Sequence, residues 1–257
     1  MMTRYDNLGI AIHQAAQHLL TLGEAVSSKR WQGKESSSDE FSTFEVTDLT
    51  FSAPIESDRK NLQDMVRPNL PWADDHFLER VGGVPLNPGN EYKNWPYYKK
   101  DEFRDVEGGE FTHTYMERFW APARPGIRYP WGNLDNVINL LLRDPLTRQA
   151  FLPVWFPEDT GATHGGRVPC TLGYHFLCRK DKLHIFYPIR SCDLLRHFQD
   201  DVYLACRLLL WVLEELQHLD PTWDQISPGD FTMNIYSLHI FHQEVNLLRN
   251  KLERGII

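Results

Sequence analysis

Pro169-Cys170 and, twenty residues on, Arg190-Ser191-Cys192-Asp193 are the residues of this chain whose types and spacing can do covalent chemistry. A cysteine that shares a pocket with an arginine can ionise near neutral pH, and the thiolate is a nucleophile. An Arg-Ser pair grips phosphate, because the guanidinium fork matches phosphate oxygens and the hydroxyl adds a donor. Together they point to nucleophilic attack on a phosphorylated substrate. Against this stands the plain alternative of an inert core cysteine and a surface arginine.

Two strands must carry these groups. Residues 171–179 and 182–188 alternate as strands around Lys180-Asp181 and read as a hairpin. Upstream, the spacing of Leu8, Ile12, Ala15, Ala16, Leu19 and Leu20 predicts a helix over 8–25, followed by a polar mobile loop over 27–40. A strand is expected over 41–51, a helix over 73–81 ending at Gly82-Gly83, and irregular chain over 85–96. Further on come a helix over 134–143 stopped by Asp144-Pro145, a short buried strand over 150–155 and a long helix over 201–218. A strand over 231–241 and a helix over 242–254 close the chain. With no repeat and no low-complexity linker, residues 1–257 read as one α/β (α+β) domain.

Composition narrows the classes. At 42% hydrophobic and 12% aromatic residues, the chain can build a core and is not of the disordered type. A formal net charge of −8 argues against wholesale nucleic-acid binding, although a local arginine cluster can still hold a small anion. The four cysteines include no C-x-x-C pair and no zinc-ligand spacing, so reduced thiols in a cytoplasmic protein without a metal are expected. The first residues lack a signal-peptide pattern and no apolar run reaches membrane-spanning length, so no membrane partner is expected.

Four blocks in order resemble the thymidylate synthase family, which includes the deoxycytidylate and cytidylate hydroxymethylases. They are Leu134-Asp135-Asn136-Val137-Ile138 running to Asp144-Pro145-Leu146-Thr147-Arg148, Val154-Trp155-Phe156-Pro157, Pro169-Cys170 with its strands to Arg190-Ser191-Cys192-Asp193, and Pro228-Gly229-Asp230-Phe231 running to His239-Ile240-Phe241. The resemblance implies a three-layer sandwich around a bent mixed β-sheet, dimerising through that sheet. It implies 5,10-methylenetetrahydrofolate as cofactor and a pyrimidine nucleoside monophosphate as substrate.

Roles follow residue by residue. Cys170 resembles the nucleophile that adds to C6 of the pyrimidine, and Arg190 and Ser191 resemble the phosphate ligands, with Arg190 also lowering the thiol pKa. Arg148 resembles the arginine that reaches the partner's phosphate site; the family's second arginine there is Gln149 here. Asp193 resembles the aspartate that bonds the pterin, with a helix cap as the alternative. His239 resembles the ribose-binding histidine, although its companion tyrosine is replaced by Phe241. The proton-handling glutamate matches Asp75 by count and Glu79 by residue type. Trp95 resembles a tryptophan near folate, and Arg30 a flexible phosphate arginine. Thr171 stands where the family usually has histidine.

Asp201 decides the base. Thymidylate synthases carry an asparagine there; an ionised carboxylate only accepts hydrogen bonds and would repel uracil O4. It suits cytosine, whose N4 amine donates and whose N3 can be protonated. The expected activity is therefore cytidylate 5-hydroxymethylation, and the chain stopping soon after its last helix leans the same way by admitting water. Uridylate methylation or hydroxymethylation, and a non-catalytic nucleotide-binding dimer of the same fold, remain the alternatives. Asp200-Asp201 also reads as an ordinary acidic helix start.

Overall fold

The computed structural model describes residues 3–27, 30–31, 34–35, 42–98, 106–107, 109–120, 133–162 and 167–257. Its strands are β1 (Thr3–Arg4), β2 (Glu24–Val26), β3 (Arg30–Trp31), β4 (Lys34–Glu35), β5 (Thr43–Pro54), β6 (Val106–Glu107), β7 (Glu110–Phe111), β8 (Phe151–Pro153), β9 (Gly173–Arg179), β10 (Lys182–Ile189), β11 (Cys192–Asp193) and β12 (Ser227–Phe241). Its helices are α1 (Leu8–Leu22), α2 (Arg59–Val66), α3 (Trp72–Val81), α4 (Tyr115–Phe119), α5 (Leu134–Arg143), α6 (Phe198–Leu219) and α7 (Val245–Glu253).

The main sheet runs β1-β5-β12-β10-β9-β8, with β11 on β12 and β2 on β5. It is mixed: β12 pairs antiparallel with β5 and parallel with β10 and β11. Alternation sorts its faces. Phe176 and Cys178, Ile185 and Tyr187, Phe231 and Met233, and Phe51 and Ala53 all point to one side and are buried. Helices α1 and α6 lie on that side. The twelve buried side chains of α6 include Leu208, Leu209, Val212 and Leu216, each contributing about 2 kcal/mol by leaving water. The other face, with His175, Leu177, Phe186, Thr232 and Asn234, is only half buried. Among the described residues no helix is long and apolar enough to cross a membrane.

Several boundaries differ from the sequence reading. Helix α1 stops at Leu22, where Gly23 turns extended against the Phe44 ring, which a Cβ there would approach to 2.6 Å; the chain then joins β5 as β2. The described part of the expected loop over 27–40 contains the paired strands β3 and β4. Residues 91–94 form a 3-10 turn inside the stretch expected to be irregular. The strand expected over 150–155 is confined to β8, where Leu152 is buried but Phe151 is 40% exposed. Helix α6 begins three residues early, at Phe198, which moves both Asp200 and Asp201 into its first turn. Burial alternation along β12 slips between Ile235 and Leu238, beside Asp48 of β5 with its φ of 58°.

Helix α3 is held by one carboxylate. Asp74 accepts from Tyr203 Oη at 2.6 Å and Arg207 Nη1 at 2.7 Å, both on α6. From α2 it accepts Gln63 Nε2 at 2.9 Å and Arg59 Nη2 at 2.6 Å. Burial alone would raise its pKa, but the Tyr203 and Arg59 hydrogen bonds outweigh burial and hold it below the usual carboxylate range. The stabilisation is therefore complete above the unfolded value of about 3.9 and lost as pH falls through the lower folded value. Asp74→Asn is expected to cost about 2 kcal/mol at pH 7 in urea melts. That difference should shrink toward zero in strongly acidic solution.

Candidate active site

The β9–β10 hairpin makes the first contact. Its turn residues Lys180 and Asp181 have φ of 51° and 56°, the paired left-handed conformations that match strand twist. Antiparallel pairing then carries the two strands to the Arg190 N–H, which donates to the Cys170 carbonyl at 2.9 Å. The Arg190 guanidinium wraps this segment. Nε donates to the Pro169 carbonyl at 2.8 Å, Nη2 to the Val168 carbonyl at 3.1 Å, and Nη2 lies 3.8 Å from Cys170 Sγ. Ser191 follows, half buried, with its hydroxyl engaged by no described residue.

The sulfur is not a resting thiolate. Burial pushes the Cys170 thiol up, and the charges of Arg190 and Arg167 pull it back only in part, while Asp201 and Asp193 push it further. Arg190 lowers the thiol pKa in direction, as expected, yet the net shift is upward because desolvation of a nearly enclosed anion is the larger effect.

The two aspartates in the first turn of α6 have separate partners. Asp200 accepts from Asn69 N and Nδ2, both at 2.8 Å, and so ties the segment ahead of α3 to α6. Asp201 turns the other way and accepts from the Cys192 thiol at 3.6 Å. Burial raises its carboxyl to about 7, with the Arg80 charge and the Cys192 and Tyr187 donors opposing and Asp200 adding to the rise. It is thus a carboxyl that holds or releases a proton near neutrality, not a fixed anion.

Beyond β11, Asp193 accepts from Leu195 N at 3.0 Å, Arg196 N at 3.1 Å and Arg196 Nη1 at 2.9 Å. Arg196 also binds Glu244, at 2.8 and 2.5 Å. The capping geometry raised as an alternative is therefore present. A carboxylate offers about four acceptor positions, so one is left for a ligand donor. Beside it, the Trp95 and His197 rings stack at 4.8 Å, and burial lowers His197 to about 4, so that ring is neutral. A flat aromatic wall next to a carboxylate acceptor fits a pterin. His239 sits half buried on β12, paired with Asp193 across the strands.

Asp75 is exposed on α3. Glu79 caps the turn at 91–94, accepting from Asn90 N at 2.5 Å and Glu91 N at 3.2 Å. A Cβ on Gly89 would stand 2.4 Å from its Oε2, so the seat is built around glycine. Neither carboxylate hydrogen-bonds Cys170 or Asp201. Arg148 is exposed, its carbonyl meeting His175 Nε2 at 3.1 Å. Arg30 lies on β3, and its side chain is outside the described residues.

Two cations were not foreseen. Arg80, only 6% exposed, bonds His76 Nε2 at 3.0 Å, stacks 3.9 Å above the Tyr115 ring and acts on Asp201. Arg167 acts on Cys170, His113 and His197. A basic residue three positions before the nucleophile was a readable signal for Arg167; Arg80 had none beyond its place on an amphipathic helix. Among the described residues no group of three His, Cys, Asp or Glu side chains is arranged to hold a metal.

The sequence model of the thymidylate synthase family matches residues 85–256. A Methanosarcina mazei protein described as a putative thymidylate synthase is 25% identical over 152 residues, 59% of this chain and 62% of its own length. A Methanococcoides burtonii protein with the same description is 24% identical over 175 residues, 67% and 72% of the two lengths. The chain thus spans less than two thirds of the first of these relatives. Thermostable thymidylate synthase A from Bacillus subtilis shares the fold, with a TM-score of 0.69 over 98% of this chain and 84% of its own at 14% identity.

A thiol raised by burial should alkylate faster at every step up in pH. Iodoacetamide labelling of Cys170 is expected to climb about tenfold per pH unit from 7 to 9 without a plateau. Arg190→Met should slow it by about tenfold or more at pH 8. A plateau below pH 8 in the unsubstituted protein would mean the thiolate is already formed.

Proposed function

Because the chain belongs to the thymidylate synthase family, we propose that it transfers a one-carbon unit to C5 of a pyrimidine nucleoside monophosphate, with Cys170 as nucleophile. The observation that carries this reading is the 3.8 Å approach of the Arg190 guanidinium to the Cys170 sulfur, with the half-buried Asp201 carboxyl nearby. Arg190 holds the sulfur side of the site with Nε and Nη2 and leaves Nη1 for a phosphate oxygen; Ser191 offers its hydroxyl to the same group.

Once the Cys170 thiol has lost its proton to solvent, addition of the thiolate to C6 moves the C5–C6 electron pair toward C4, so C5 becomes nucleophilic. Bound methylenetetrahydrofolate would supply the one-carbon unit. Asp193, Trp95 and His197 would hold its ring system, and Asp201 would manage the proton at the far side of the base.

The pKa of Asp201 changes the argument about the base. An ionised carboxylate repels uracil O4, but a carboxyl near 7 carries its proton much of the time. In that form it donates to uracil O4 and accepts from N3–H, as an amide does. With cytosine, the same proton passes to N3 and the carboxylate accepts N4–H. The family relatives favour uridylate, and we take the uridylate reaction as the leading reading. Cytidylate hydroxymethylation is the second, favoured by the ability of Asp201 to protonate N3, which an amide lacks.

The half-buried outer face of the sheet and the exposed Arg148 at its edge support a dimer formed through that face, with Arg148 reaching the partner's phosphate. Sedimentation near twice the 30.1 kDa chain mass is the expected result. A monomer would remove Arg148 from the phosphate site.

Release of tritium from C5 of dUMP and dCMP, with methylenetetrahydrofolate present, tests the function. Activity on the preferred nucleotide should fall as pH rises through about 7, because Asp201 then loses its proton. Asp201→Asn should keep dUMP turnover within severalfold and remove that fall. It should cut dCMP turnover by about a hundredfold or more, since an amide cannot protonate N3. No release from either nucleotide, with no 5-fluoro-dUMP adduct at Cys170, would leave only a nucleotide-binding dimer.

A further inference from the structure

Cys192 and Asp193 are neighbours on β11, and their side chains point to opposite sides of it. Asp193 turns to Arg196, whereas the Cys192 thiol donates to Asp201 Oδ2 at 3.6 Å. Pairing with β12 fixes the strand here, with Cys192 beside Leu238 and Asp193 beside His239. The thiol is 1% exposed, and burial raises it well above the ordinary thiol range, so it keeps its proton. From the other side, the Asp201 N–H donates to the His197 carbonyl at 2.7 Å, which sets the carboxyl in the first turn of α6.

The groups around this pair are committed elsewhere. Asp200 accepts from Asn69. Tyr187 Oη lies 2.8 Å from Thr171 Oγ1, which in turn lies 2.6 Å from Tyr115 Oη. Arg80 acts on the carboxyl through its charge. Among the described residues the thiol is therefore the donor that tells the two carboxyl oxygens apart. A protonated oxygen is the poorer acceptor, so a donor fixed on Oδ2 favours the form in which Oδ2 is the carbonyl oxygen and Oδ1 carries the proton.

The place of that proton matters to a pyrimidine. Uracil presents an acceptor at O4 and a donor at N3–H; cytosine presents a donor at N4 and an acceptor at N3. The two bases demand opposite arrangements of one proton. We propose that Cys192 is a positioning residue that sets base specificity: its thiol holds the proton of Asp201 on Oδ1 and so selects between a 4-oxo and a 4-amino pyrimidine. The proposal deepens the one-carbon-transfer reading and rests on it for the contact between Asp201 and the base. Under the uridylate reading, Oδ1 meets O4, and Oδ2 meets N3–H with its second lone pair. Cytosine in the same place sets the Oδ1 proton against the N4 amine and the Oδ2 lone pair against that of N3. Turning the carboxyl over relieves both clashes, but it puts the protonated oxygen under the thiol and weakens that bond.

Calorimetric titration with dUMP and dCMP tests this without turnover. At about pH 6, below the Asp201 value of about 7, the carboxyl holds its proton. The unsubstituted protein should bind dUMP more tightly than dCMP. Cys192→Ala should narrow the ratio of the two dissociation constants by about fivefold, the worth of one thiol hydrogen bond. Cys192→Ser should keep the ratio, because the half-buried Asp201 can lean toward the shorter hydroxyl. In infrared difference spectra against Asp201→Asn, the carbonyl stretch of protonated Asp201 should move to higher wavenumber in Cys192→Ala, which a change in packing alone would not produce. A ratio in Cys192→Ala within about twofold of the unsubstituted value would overturn the proposal. So would equal weakening of both nucleotides with the stretch unmoved. A preference for dCMP that Cys192→Ala narrows would uphold the role of the thiol and overturn the uridylate reading instead. The expected selectivity without tritium release from either nucleotide would sink only the one-carbon transfer.

Discussion

The pairing of β9 with β10 sets the distance between the Cys170 sulfur and the Arg190 guanidinium, and the rest of the site is arranged around that pair. The turn is only two residues long, and both adopt positive φ without being glycine, at a backbone cost of about 1–2 kcal/mol each. What holds them there is the length of the pairing beyond the turn. Leu172 N–H reaches the Pro188 carbonyl and Arg190 N–H reaches the Cys170 carbonyl. On the far side β10 lies against β12, the strand that carries His239. A slip of one residue would turn Tyr187 and Ile189 out of the core. The register that buries the hydrophobic face is therefore the register that builds the site.

Desolvation and charge compete at every group here, and burial wins more often than the neighbours do. It keeps Cys170 a thiol despite two arginines, lifts Asp201 to about 7 despite Arg80, and leaves His76 and His197 neutral near 4. The exceptions are carboxylates with several donors, such as Asp74, where hydrogen bonds outweigh the same penalty. A site of this kind holds its reactive groups in their neutral forms. Under the proposed one-carbon transfer, ligand binding has two levers: it brings an anionic phosphate to the arginines, and it gives the proton of Asp201 an acceptor on the base.

Much of this arrangement was legible in the chain. Lys180-Asp181 between two alternating runs marked the hairpin, and the spacing from Cys170 to Arg190 followed from it. Alternation in residues 231–241 and the long apolar run after Asp201 placed β12 and α6. Legibility ended where two neighbours of one type diverge. Asp200 and Asp201 are indistinguishable by residue type and became distinct only because α6 starts at Phe198, which aims one at Asn69 and the other at Cys192. Asp75 and Glu79 posed the same difficulty. Count and chemistry each favoured one of them, but helix phase exposes the first and the turn at 91–94 captures the second.

The same limit hid Arg80 and Thr171, and for a reason that bears on chemistry. Arg80 lies ninety positions before Cys170, and the clamp of Asp74 on α2 and α6 helps bring α3 close enough for its guanidinium to cover Tyr115. Thr171 in a regular strand would face away from Tyr187; one extra residue in the pairing turns it inward. Both effects are tertiary, and neither leaves a periodic trace in the sequence. They also act together, since Arg80 lies over the ring whose hydroxyl pairs with Thr171. A change that loosened α3 would therefore reach the Asp201 carboxyl through Arg80.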